Sequence, residues 1–323
     1  MDRTILGLDI GGSKTAIVEG ASNAAILERR ELPTRSQLPF DETFGELASL
    51  ADEVSANSKR AGREIVALSV SVGGPLRIRE GFLLDPPHLP GWHNLPLKSR
   101  LEERFPRLPV FIEHDGNAGA LAEFHFGVGR TAPGMESLVF LTFGTGLGAG
   151  IILNGQIVHG ATDTAGEVGH WRMANDGPIA YGKKGSWEAF SSGAGLVKLA
   201  SERFPHRWSS TTTIRELVDA MLRGDEDALT VARESAAWMG RGLALLVDAL
   251  NPQAIVLGSL AVALGEKVLA PMREIVRQEA LPQAAEACRM LPAALGSKIG
   301  DVAALMAALT DPTIKGLLAQ DRT

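Results

Sequence analysis

Thr4-Ile5-Leu6-Gly7-Leu8-Asp9-Ile10-Gly11-Gly12-Ser13-Lys14-Thr15-Ala16-Ile17-Val18, close to the N-terminus, sets the architecture expected of everything after it. Residues 4–9 predict a short apolar strand that Gly11-Gly12 stops, and residues 15–18 resume as a second strand, so the stretch reads as a hairpin. Its turn is rich in donors. Two adjacent glycines let backbone N–H groups approach an anion closely, and Ser13, Lys14 and Thr15 add further donors, which suits a phosphate. Asp9, ending the first strand, is a candidate to hold magnesium through water, because oxygen ligands suit that hard cation. A tight hairpin with polar residues at its turn explains the same pattern without a ligand. The turn is not a P-loop, since no Gly-x-x-x-x-Gly-Lys-Ser/Thr pattern opens a helix here.

Outward from the hairpin, strands and helices alternate. Apolar residues at helical spacing (Phe44, Leu47, Leu50, Ala51) predict a helix from Phe40 to about Ala61, with Asp41 as its N-cap. Residues 65–72 are β-branched and alternating, a strand that Gly73-Gly74-Pro75 ends. Three prolines in 86–92 forbid helix and ladder alike, and 109–113 predict another buried strand. The second half repeats the theme. Strands over 137–142 and 148–153 flank Phe143-Gly144-Thr145-Gly146-Leu147-Gly148, and Asn154-Gly155 is a hairpin turn. Helices follow over 185–204, from a capping box at Thr213-Ile214-Arg215-Glu216, and over 226–250. Asn251-Pro252 stops the last of these. A short strand at 254–257, a helix from about Val262 and a small-residue helix at 300–309 complete the chain. We expect two α/β domains of related topology with a cleft between them.

Three further places carry chemistry. Gly144-Thr145-Gly146-Leu147-Gly148 is a second glycine turn between strands, equivalent to the first, and the pair suits the phosphates of a nucleotide. Asp115, in Glu113-His114-Asp115-Gly116-Asn117-Ala118, sits between a strand and a helix predicted over 118–126; a carboxylate there faces an active site or simply caps the helix. Glu167 and His170, three residues apart among glycines, offer the paired acceptors and donors that sugar hydroxyls need, or else are incidental loop charges. His125, His159 and Glu188 show no regular metal-ligand spacing. Cys288 reads as an inert buried residue in a helical stretch, and Trp92 and Trp171 as loop residues able to floor a sugar site.

Composition narrows the class. The chain has 323 residues, 45% of them hydrophobic, which excludes bulk disorder and allows two domains. A formal charge of −6 gives no electrostatic reason to bind nucleic acid or an anionic membrane. One cysteine excludes an internal disulfide and a cysteine-built zinc site. Neither a signal peptide nor a run of ~20 apolar residues is apparent, so a cytoplasmic protein is expected.

In order and spacing, these motifs resemble the ROK family of sugar kinases and sugar-responsive repressors. The resemblance runs through Leu8-Asp9-Ile10-Gly11-Gly12, Gly73-Gly74-Pro75, Leu89-Pro90-Gly91-Trp92, Asp115-Gly116-Asn117-Ala118 and 124–130 (FHFGVGR). It continues with 142–150 (TFGTGLGAG), 165–170 (AGEVGH), 251–258 (NPQAIVLG) and 300–309. It implies a two-domain, actin-like (ribonuclease H-like) ATPase fold with an interdomain cleft. We expect residues 1–116 with about 300–323 to form the small α/β domain, and 117–299 the large one. By the same resemblance Asp115 is the general base that takes the proton of the sugar's attacking hydroxyl. Asp9 and Gly11, Gly12, Ser13, Lys14 and Thr15 face magnesium and the ATP phosphates, with Thr145 and Gly146 opposite and Gly258 beside the adenosine. Gly74, His114, Glu167, His170 and Glu188 join Asp115 as sugar contacts. The implied activity is ATP-dependent phosphorylation of a hexose at O6, and the implied assembly is a homodimer.

The chain departs from the family at three places. Many members carry a cysteine-rich zinc loop after the Glu-x-Gly-His element, whereas residues 175–186 (NDGPIAYGKKGS) contain no cysteine. No zinc site is expected, and His170, a zinc ligand in those members, would serve the sugar only. The usual asparagine before the catalytic aspartate is His114, and the usual proline-asparagine of the sugar loop is Pro87-His88. An imidazole in place of an amide is bulkier and titrates near neutral pH, which points to a sugar other than plain glucose. Gly258-Ser259 stands for a glycine pair. Repressor members carry a helix-turn-helix domain before the first glycine motif; only eight residues precede Asp9 here, so the repressor reading is expected not to apply. The alternative kept beside the kinase is a non-catalytic sugar-binding or sensing protein on the same fold.

Overall fold

The computed structural model describes residues 2–319. They fall into two compact units: one takes the chain up to Phe126, the segment His159–Thr164 and the chain from Ser297 on, the other Gly127–Val158 and Ala165–Gly296.

The first unit is built on β1 (Asp2–Ile10), β2 (Lys14–Gly20), β3 (Ile26–Pro33), β4 (Arg63–Val72) and β7 (Val110–His114), in the order β3-β2-β1-β4-β7; β5 (Leu76–Arg77) and β6 (Phe82–Leu83) pair with each other. β1 and β2 form the expected hairpin, with Asp9 opposite Ala16 and Ile10 opposite Thr15. β1, β4 and β7 run parallel. Side chains alternate across the sheet. Leu6, Leu8 and Ile10 pack with Leu47, Ala51 and Val54 of the helix Phe40–Arg60. On the other face Gly7 abuts Leu305 and Ala304 of the helix Ile299–Leu309. Burial on both faces explains why the strand reads as an almost unbroken apolar run.

The second unit repeats the pattern with β8 (Leu138–Leu141), β9 (Ala149–Leu153), β10 (Gln156–Ile157), β13 (Ala254–Leu257) and β14 (Arg289–Pro292), ordered β10-β9-β8-β13-β14. As in the first unit, an antiparallel pair leads into parallel strands. β11 (Ile179–Ala180) and β12 (Lys183–Lys184) form a small separate hairpin. Asn154 and Gly155 both take positive φ, 53° and 72°, as the tight turn between β9 and β10 demands. The Thr213 capping box forms as read, opening the helix Ile214–Leu222.

Several expectations are corrected. Asp41 does not cap its helix: Pro39 holds that position without a side-chain bond, and Asp41 pairs with Arg100. The single helix expected over 185–204 is two, Trp187–Ser191 and Gly193–Arg203, because Ser192 is extended and caps the second through Gly195 N at 3.1 Å. The helix expected from Val262 is also two, Ser259–Leu264 and Glu266–Glu279, parted by Gly265 at φ 55°. Asp115 is the first residue of its helix, Asp115–Phe126. Cys288 follows the helix Pro282–Ala287 rather than lying within one; it is buried, and burial pushes its thiol up to about 11. Trp92 is buried edge-on against Phe40, 5.0 Å between ring centres, which leaves it no sugar to floor. Among the described residues no single helix is long and apolar enough to cross a membrane.

Candidate active site

In the first unit the chemistry gathers at the C-terminal ends of the parallel strands. Asp9 is next to last in β1, in register with Ser71 of β4. Burial raises its carboxyl to about 6, with the charges of Asp115 and Asp301 adding to the effect; the Ser71 hydroxyl and Lys14 act against it. Gly300 lies against this carboxylate so closely that a Cβ there would overlap Asp9 Oδ2. Asp301 is in turn fixed by Arg29, whose Nε donates to both its oxygens at 2.9 and 3.1 Å. Sequence reading missed Ser71, Gly300 and Asp301 as neighbours of Asp9, although residues 300–309 stood out as a motif.

Asp115 begins its helix with its carboxylate half exposed. Gly116 N donates to Asp115 Oδ1 at 2.7 Å and to His114 Nδ1 at 3.2 Å. The helix N-terminus favours the anion. Gly73 leaves room beside Oδ2, since a Cβ there would sit 3.6 Å away. Gly74 packs on the His114 ring, 2.9 Å from Cδ2 to a Cβ it lacks. Beneath lies a group that sequence reading passed over. Buried Glu113 accepts from His114 N and from Asn117 Nδ2, both at 2.9 Å, and its other oxygen is 2.8 Å from His159 Nε2. These bonds fix the strand-to-helix corner that presents Asp115.

The first glycine turn is braced from behind. Gly11 N donates to Lys14 O at 3.0 Å, Thr34 Oγ1 to Gly11 O at 2.6 Å, and Gly12 backs onto the His88 carbonyl with no room for a Cβ. Gly11 and Ser13 are exposed, as a ligand requires. Two expected donors are already engaged. Thr15 is buried with its hydroxyl 2.9 Å from that of Thr34, and Lys14 Nζ donates to Glu31 Oε2 at 3.0 Å. The neighbouring carboxylates of Asp9 and Asp115 are the hard oxygen donors that a hydrated divalent cation takes, with water completing its shell.

In the second unit the turn after β8 is tied at both shoulders. Thr142 N donates to Gly148 O, and Gly148 N to Thr142 Oγ1, each at 3.0 Å. The helix Gly193–Arg203 donates Gly193 N to Gly144 O and Ala194 N to Thr145 O. Gly258, just after β13, meets the same turn, because a Cβ there would overlap the Thr142 carbonyl. So Gly258 lies against the first shoulder of the turn that carries Thr145 and Gly146. Glu188 joins them: its Oε2 accepts from Leu147 N at 2.9 Å and from the Tyr181 hydroxyl at 2.6 Å. Glu167 and His170 stand 3.9 Å apart across their 3-10 turn, and the His170 ring stacks on Tyr181. These residues do not fit zinc. The segment offers no thiolate, and the one cysteine of the chain, Cys288, is buried beside β14.

Residues 5–310 match the ROK family. A glucokinase from Halalkalibacterium halodurans is 29% identical over 311 residues, 93% of this chain and 93% of its own. A xylose repressor from Caldicellulosiruptor bescii is 30% identical, over 85% of this chain and 70% of its own. A ROK family glucokinase from Streptomyces griseus, solved with glucose and AMPPNP, aligns with TM-score 0.78 at 30% identity, over 93% of this chain and 97% of its own. A ROK family transcriptional regulator aligns with TM-score 0.86 at 20% identity, over 99% of this chain and 81% of its own, a likeness of fold alone. Its motifs, its twice-built sheet and these relatives agree: this chain belongs to the ROK family and has the actin-like ATPase fold.

Proposed function

We propose that this protein is an ATP-dependent sugar kinase that phosphorylates a hexose at O6. The observation that carries the proposal is Asp115: a half-exposed carboxylate at a strand-to-helix corner, with one oxygen held by Gly116 N and the other beside side-chain-free Gly73. Such a group accepts the proton of the attacking hydroxyl as the new O–P bond forms and the bond to the departing ADP breaks. General-base catalysis is typically worth 10²–10⁴-fold. The rest of phosphoryl transfer is positioning and charge. Asp9 would hold hydrated magnesium, which supplies neutralisation of phosphate charge. Gly11, Gly12 and Ser13 form the turn proposed to face the phosphates, and Thr145, Gly146 and Gly258 are proposed nucleotide contacts. Glu167, His170 and Glu188, with Gly74 and His114, are the proposed sugar contacts. A homodimer is part of the proposal by family resemblance, and light scattering reads it.

A sugar-binding protein without chemistry is the second reading, favoured by the cysteine-free segment after His170 and by the repressors among the relatives. ADP release from magnesium-ATP, measured against hexoses, N-acetylhexosamines and ketoses, separates the two. Sugar-dependent release supports the kinase; calorimetric sugar binding without release supports the sensor.

A further inference from the structure

The segment between His170 and Glu188 contains Tyr181, the one tyrosine of the chain. It sits at φ 54° in the turn between β11 and β12. Its ring lies on the His170 imidazole, 3.6 Å between centroids at 22°. Its hydroxyl donates to Glu188 Oε2 at 2.6 Å, and the same oxygen accepts from Leu147 N in the glycine turn. The neighbourhood is shaped around these contacts. Gly169 has no room for a Cβ, which would overlap the Leu147 carbonyl and lie 3.2 Å from the Tyr181 hydroxyl and 3.3 Å from Glu188 Cβ. Lys183 Nζ donates to the His170 carbonyl, tying the far side of the hairpin to the same residue.

We propose that Tyr181 is a positioning residue, a clasp that fixes His170 and Glu188 relative to each other and to the glycine turn at Leu147. The inference rests on the reading that His170 and Glu188 bind the sugar. A free glutamate side chain carries up to ~2 kcal/mol of rotamer entropy, which a ligand must otherwise overcome on binding. Here two protein donors engage Oε2 before any ligand arrives, and Oε1 is the oxygen left to accept a hydroxyl. The aromatic stack and the phenol hydrogen bond add to the backbone bonds that fold this segment back on itself, Met173 N to Gly185 O at 2.8 Å and Gly185 N to Pro178 O at 3.0 Å.

The single tyrosine gives the test a readout independent of activity. Burial, the hydrogen bond to Glu188 and the negative charge of Glu188 and Glu167 all push the phenol up. A phenol at the ordinary value of ~10 would be about nine-tenths ionised at about pH 11. Near-ultraviolet absorbance should show the wild-type tyrosine still mainly protonated there, and Glu188→Ala should bring its ionisation down towards the free value. In steady-state kinetics Tyr181→Phe, which keeps the stack and loses the hydrogen bond, should raise the sugar KM about tenfold, the equivalent of ~1.4 kcal/mol. Its kcat and its KM for magnesium-ATP should move far less, and Tyr181→Ala should exceed Tyr181→Phe. A wild-type tyrosine that titrates like a free phenol overturns the clasp, and so does an unchanged sugar KM in Tyr181→Phe. A protonated tyrosine in a protein that neither binds nor phosphorylates any sugar leaves the clasp standing and overturns the function proposed for its residues.

Discussion

Asp9 is held in a place that resists its charge. Its folded value of about 6 exceeds the ordinary aspartate value of 3.8, so between these pH values the folded chain binds more protons than the unfolded one. Stability therefore falls as pH rises through this window and stays lower above about pH 6. The full penalty corresponds to up to ~3 kcal/mol, at ~1.4 kcal/mol for each pKa step. Asp9→Asn should raise the thermal midpoint of the ligand-free protein at pH 8, by roughly twice its effect at pH 5. Melting curves at the two pH values check this; an equal gain at both would mean that Asp9 is not strained by its own charge. Asp9 was legible as a candidate because it closes a strand before two glycines. Its strain was not, since burial and the charges of Asp115 and Asp301 reach it only through the fold.

Elements meet at two places where one atom decides the outcome. Gly300 stands in the first turn of the helix Ile299–Leu309, against the Asp9 carboxylate. Alanine within a helix ordinarily gains ~1 kcal/mol over glycine. Here Gly300→Ala should instead displace Asp9 and raise the KM for magnesium-ATP severalfold, with thermal stability little changed. Unaltered nucleotide kinetics would remove Gly300 from the site. The second place joins β1, β2, β4 and the helix Phe40–Arg60. Fully buried Glu19 accepts from Arg63 Nε at 2.8 Å, Arg63 Nη2 at 2.6 Å, Ser58 at 2.6 Å and Thr4 at 2.9 Å. Burial alone would raise this carboxyl, but the hydrogen bonds from Arg63, Ser58 and Thr4 outweigh it and leave it lowered. Arg63→Ala strands the buried charge and should cost about 3–5 kcal/mol in denaturant unfolding; a cost under ~1 kcal/mol would show that water reaches Glu19. Periodicity placed the helix Glu226–Leu250 and the strand Ala254–Leu257 to the residue. It failed where local chemistry breaks a period, at Ser192 and Gly265. It also passed over β3, a charged strand beside β2 with no apolar run to announce it.

Across the whole chain, the repeated plan of hairpin followed by parallel strands was readable because the two glycine turns mark equivalent points in both halves. What was not readable is how the sequence is shared out: His159–Thr164 leaves the second unit's run of chain and belongs to the first. Two bonds hold it there, His159 to Glu113 and Ile78 N to Asp163 Oδ2 at 2.8 Å. The Glu113 hydrogen bond raises His159 above its ordinary value, burial opposes it, and the charges of Glu113 and Asp163 reinforce it. This contribution is complete below the unfolded value of ~6.5 and fades as pH rises through the folded one. The stability lost in His159→Gln should accordingly be largest near pH 6 and smaller at pH 9, and a gap independent of pH would contradict the ion pair. The central claim is that Asp115 takes a proton from a sugar hydroxyl during phosphoryl transfer. Its most direct test is sugar-dependent ADP release by wild type and Asp115→Asn, alongside calorimetric sugar binding by both. The predicted result is turnover by the wild type and a loss of at least ~10²-fold in the variant, with sugar binding kept. Near-normal turnover in Asp115→Asn would contradict it.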